Sequence, residues 1–150
     1  MMMELMTRDF GKVQIKEEDI ITFPQGIPGF VEEKEYVLLP LGDESPFVVL
    51  QAVNNSNLAF ITLEPGNFIK GYEFEISDNV VDKLKIEENK DVIVLAIATV
   101  KDKMSEMTVN LAAPVVINIK EKLGKQVILD REDYPVKYQL FAEEKKEMVK

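Results

Sequence analysis

The 150-residue chain carries 18 lysines and arginines against 27 aspartates and glutamates, a net charge of −9, and is 46% hydrophobic, enough for one core in one domain spanning residues 1–150. It has neither cysteine nor histidine, which excludes disulfide staples, thiolate nucleophiles, Cys- or His-ligated metals and Ser-His-Asp triads, and argues against an enzyme. The acidity sits in residues 1–100, with 18 acids and 8 bases, while residues 101–150 carry 9 and 10; such a chain should repel phosphate backbones and suit a basic protein partner.

No apolar run reaches the roughly 18 residues of a membrane span, and the start MMMELMTRDFGK lacks the layout of a secretory signal. No membrane contact is expected, and a cytoplasmic location is. The segment ITFPQGIPGF (21–30) is too punctuated by proline and glycine to be a strand or helix, yet it carries Ile27 and Phe30. Such a loop either folds back as a plug over a barrel end or offers its apolar side chains to a partner. Pro24 and Pro28 stiffen it and Gly26 and Gly29 permit close approach, which favours burial of both side chains.

Four short β-rich runs follow: EYVLLPL (35–41), PFVVLQAV (46–53), LAFITLEP (58–65) and YEFEIS (72–77), with GDES, NNSN and PGN as turns. They read as an antiparallel meander. PGNFIKG (65–71) lacks the spacing of a phosphate-binding loop. In YEFEIS the alternation sets Tyr72, Phe74 and Ile76 on one face and Glu73 and Glu75 on the other, about 7 Å apart. Two carboxylates so placed could serve a hydrolase, but alternating glutamates are also how a strand presents its wet face.

SDNVVDKLKIEEN reads as the one helix, capped by Ser77 or Asp78, with Val80, Val81 and Leu84 as its apolar stripe. DVIVLAIATV (91–100) is apolar enough to be covered on both faces. In MTVNLAAPVVINIK (107–120), Pro114 has no N–H for a ladder, so the run is an edge strand or two short strands meeting at a kink. Asn110 and Asn118 flank it, as turn caps or as part of a partner-facing edge. EKLGK leads into a last strand, QVILD (126–130). DREDY (130–134) lacks the glycine and distant glutamate of a calcium loop and reads as a solvated turn; no metal or cofactor is expected. AEEKKEMVK (142–150) should be a frayed helix or mobile tail. The fold expected is mainly β: a small antiparallel β-barrel-like single domain with one short helix.

The combination of FPQGIPGF, then TVNLAAPVVIN, then GKQVILD resembles the family of flagellar assembly factor FliW over about residues 7–140. The resemblance implies a short, acidic, mostly β regulator rather than a catalyst. It further implies that the chain binds flagellin and, alternatively, the RNA-binding translational repressor CsrA, so that flagellin export frees it to capture the repressor and relieve repression of flagellin mRNA. Direct nucleic-acid binding is not implied. Candidate partner-binding residues are Ile27, Phe30, Glu73, Glu75, Asn110, Pro114 and Asn118. Two other readings stand beside this one: a carboxylate hydrolase using Glu73 and Glu75, and an export chaperone for flagellin alone.

Overall fold

The computed structural model describes residues 1–100 and 102–141. The expected tail at 142–150 lies outside the described residues. The strands are β1 (Met2–Met6), β2 (Lys12–Lys16), β3 (Ile21–Thr22), β4 (Glu35–Pro40), β5 (Phe47–Ala52), β6 (Ala59–Leu63), β7 (Val92–Thr99), β8 (Thr108–Val109), β9 (Val115–Asn118), β10 (Leu123–Gln126) and β11 (Tyr138–Gln139). The α-helix, α1, spans Asp78–Lys83.

The meander of β4, β5, β6 and β7 is antiparallel throughout. Its ends meet through β3, β10 and β9, and the pairing of β9 with β7 closes a seven-stranded barrel. One seam breaks the antiparallel rule: β10 meets β3 in parallel, Leu123 opposite Thr22. Closure removes most of the exposed edges that such short strands would otherwise leave. Gly124 is required at this seam. A Cβ there would lie 2.5 Å from the ring of Phe23, which is fully buried.

Strand alternation sends one residue inward and the next outward. Tyr36, Leu50, Leu95, Val115 and Ile117 fill the interior with Phe23. Outward residues are covered by three separate pieces. The hairpin of β1 and β2 lays Leu5 and Ile15 on Val37; α1 lays Val80 and Leu84 on Val116; and the region of β8 sets Met107, Val109 and Leu111 against Leu63, Ala96 and Ala98. The middle of β7 is therefore covered on both faces, as its apolar run predicts.

The helix begins where expected: Ser77 accepts the Val80 N–H at 3.3 Å. It stops early, because Lys85 turns left-handed at φ 54°. Two expectations need correction, and one element was missed. Residues 72–77 alternate in burial but form no ladder. The last barrel strand is Leu123–Gln126 rather than 126–130: beyond it Val127 and Leu129 still donate to the Pro114 and Ala112 carbonyls at 2.8 and 2.7 Å, but Pro114 has no N–H to return the bond and the two-way ladder stops. The hairpin of β1 and β2 was not anticipated.

Candidate functional site

Two tight turns shape residues 23–30. Gly26 donates to the Phe23 carbonyl at 2.8 Å across Pro24 and Gln25, and Phe30 donates to the Ile27 carbonyl at 2.7 Å across Pro28 and Gly29. The second, with proline first and Gly29 at φ 90°, has the signature of a type II turn. Gly26 sits at φ 66°, and a Cβ on it would lie 2.6 Å from the Val31 backbone. These turns send the two apolar side chains opposite ways. Ile27 is 2% exposed within the interior cluster, whereas Phe30 is 43% exposed. The expectation that both are buried holds for Ile27 and is corrected at Phe30. Phe30 lies edge-on to Phe60 at 5.6 Å, next to the exposed Val31. Val31 and Phe60 were missed in the sequence because each sits singly in an ordinary apolar context. Beneath them, the fully buried Tyr36 hydroxyl has no hydrogen-bond partner among the described residues. Burial, with help from Glu33, pushes it up to about 12.

Residues 71–75 are held from behind by the segment 130–134. The Tyr134 hydroxyl accepts the Glu73 N–H and donates to the Glu73 carbonyl, both at 2.9 Å. Arg131 donates to the same carbonyl at 2.8 Å, stands over the Tyr134 ring at 4.2 Å and pairs with Asp133 at 2.6 Å. The hydrogen bond from Arg131 holds the Asp133 carboxyl below its ordinary value. Tyr72 donates to the Leu111 carbonyl at 2.9 Å; burial, then Tyr134, raises it to about 12 against the opposing effect of Arg131. The backbone of Glu73 is thus fixed while the carboxylates of Glu73 and Glu75 stand in solvent. The two line different open surface grooves, Glu73 one and Glu75 its neighbour. Among the described residues no group of three or more acids is placed to hold a metal.

The stretch 110–118 resolves into two strands joined by a bulge. From the pair Ala98 with Val109 to the pair Leu95 with Val115, β7 advances three residues and the opposing chain six, so three extra residues are accommodated. Asn110 folds them: its side-chain oxygen accepts the N–H groups of Ala112 and Ala113 at 3.1 Å each. Pro114 sits just before β9; its carbonyl accepts from Val127 at 2.8 Å, and with no N–H it cannot return that bond. Asn118, 1% exposed, donates to the carbonyls of Leu84 and Lys85 at 2.8 and 3.1 Å, tying the end of α1 to the barrel. Two strands at a kink is therefore the correct reading. The expected free edge at Pro114 is absent, because β9 is paired on both sides, by β7 and β10.

The fold recurs in a known protein. The FliW protein family matches residues 4–140. The chain belongs to the FliW family. A relative in Geobacillus kaustophilus strain HTA426, named flagellar assembly factor FliW, is 47% identical over 141 residues, 94% of this chain and 97% of the relative. The FliW of Bacillus subtilis strain 168 is 43% identical over 141 residues, 94% of this chain and 99% of its own. A crystal structure of the flagellar assembly factor FliW superposes with a TM-score of 0.88 at 45% identity, covering 93% of this chain and 97% of that one. FliW relatives thus share both the barrel and nearly the whole described length. Among the described residues no helix is long and apolar enough to cross a membrane.

Proposed function

We propose that this chain is a cytoplasmic regulator of flagellar assembly that binds flagellin and, in alternation, a CsrA-type RNA-binding translational repressor, relieving repression of flagellin translation. The observation that carries the reading is the FliW family membership over residues 4–140. Charge supports it: residues 1–100 have ten more acids than bases, and a repressor that binds RNA must present a basic face. The same charge keeps the chain itself off RNA. Phe30, Glu73 and Glu75 are the exposed members of the candidate set and are proposed as direct contacts. Ile27, Asn110, Pro114 and Asn118 act by holding the loops and strands that present them.

Size-exclusion chromatography of purified components tests the proposal. The chain is expected to co-elute with flagellin and with the repressor separately, and flagellin is expected to displace the repressor from a preformed complex. Co-elution with flagellin alone would leave a chaperone without a repressor arm. Co-elution with neither would refute the reading.

A further inference from the structure

The barrel wall has a gap on β7. The Asp91 carbonyl accepts from Ile119 at 2.8 Å and the Ile97 carbonyl accepts from Asn110 at 2.9 Å, so alternate residues from 91 to 97 turn their backbone groups toward β9 and β8. Val92, Val94 and Ala96 turn theirs to the opposite edge. There Ala96 meets Leu63 of β6. Continuing that register by two residues would set Pro65 opposite Val94. Proline has no N–H to donate, and the Pro65 carbonyl is already taken by the N–H groups of Phe68 and Ile69. The chain turns away at this point into a short 3-10 turn, Pro65–Asn67. Among the described residues the N–H and carbonyl of Val94 meet no backbone partner.

Two surface grooves, of about 310 and 470 Å³, open along this edge and share Phe74, Ile76, Val92 and Val94 as lining. Glu64 and Glu73 line the first and Glu75 the second; no lysine or arginine lines either among the described residues. Residues 72–76 run beside the edge without joining it, pinned at Glu73 by Tyr134 and Arg131.

We infer that the β7 edge at Val94 is a β-augmentation site for an extended protein segment in which apolar residues alternate with lysine or arginine. The unpaired Val94 groups supply the main-chain pairing, Phe74, Ile76 and Val92 receive the apolar side chains, and Glu64, Glu73 and Glu75 meet the cationic ones. The site goes beyond the function proposed above and requires neither of the partners named there.

Amide exchange followed by NMR on the whole chain tests it, with the capped peptide Ac-Lys-Val-Lys-Val-Lys-Val-NH2 as probe. In the free protein the Val94 N–H should exchange at least about tenfold faster than that of Ala96, and bound peptide should slow it at least about tenfold. The same peptide N-methylated on alternate residues, in both registers, should lose binding. The double variant Glu73→Lys/Glu75→Lys, altered only at exposed positions, should bind about tenfold more weakly. Strong protection of Val94 in the free protein would show that residues 72–76 or a second copy already close the edge, and would overturn the inference. So would equal binding of the N-methylated peptides, or no binding at millimolar peptide.

Discussion

Truncating Ile27 and Phe30 separately should give unequal losses, although the two side chains lie three residues apart in one loop. Ile27→Ala removes apolar groups that are 2% exposed. Three carbons at about 0.8 kcal/mol each give about 2.4 kcal/mol of lost transfer energy, and a cavity among Phe23, Tyr36 and Leu50 raises the total to roughly 3–4 kcal/mol. For a chain of this size that is a fall in Tm of roughly 10 °C. Phe30→Ala gives up the covered half of its ring, about 1 kcal/mol, and its edge-on contact with Phe60 at 5.6 Å, about 1 kcal/mol more, so about 2 kcal/mol in all. Both are measured by thermal unfolding and by urea titration, with flagellin affinity determined in parallel. The expected result is a strongly destabilised Ile27→Ala that still binds when folded, and a less destabilised Phe30→Ala that binds more weakly. Equal destabilisation, or a greater loss for Phe30→Ala, would refute the division of the loop into a buried and a presented side chain.

Asn118→Ala should cost about 2 kcal/mol in urea unfolding, because it strips a partner from the buried Leu84 carbonyl and from the part-buried Lys85 carbonyl; a loss below about 1 kcal/mol would contradict that role. In a spectrophotometric titration, Tyr36 and Tyr72 should ionise near 12, later than an ordinary tyrosine near 10. Since the fold favours their neutral forms, the stability they contribute is complete below pH 10 and is lost as pH rises through 12; ionisation of both near 10 with the fold intact would refute it. The association rate with the basic repressor should fall as salt rises, and Glu73→Gln/Glu75→Gln should flatten that dependence; a salt-independent rate would exclude electrostatic steering.

The sequence carried most of the barrel because β-rich apolar runs bounded by turn residues are a local signal, and those expected for β4, β5, β6 and β7 end within a residue or two of the observed strands. What was not legible depends on partners far along the chain. Residues 72–77 have the alternation of a strand, yet the edge beside them stays unpaired where Pro65 ends the neighbouring ladder and Tyr134 and Arg131 hold Glu73 aside. β10 contains Gly124 and Lys125, poor strand formers, and exists because β9 pairs with it and Phe23 needs the space above the glycine. The hairpin of β1 and β2 had a readable half in Val13 and Ile15, but its turn is made by Thr7, whose hydroxyl donates to the Gly11 carbonyl at 2.7 Å. At the candidate site, the double turn around Pro24 and Pro28 was readable. Which way each side chain points was not, because the positive φ angles of Gly26 and Gly29 decide it.

A switch between two partners that acts on translation can be followed in a gel shift on flagellin leader RNA bound to purified repressor. Adding this chain should release the RNA without the chain itself binding it, and adding flagellin should restore the repressor–RNA complex. If the complex persists at saturating amounts of this chain, or if flagellin fails to restore it, the chain does not switch between the two partners.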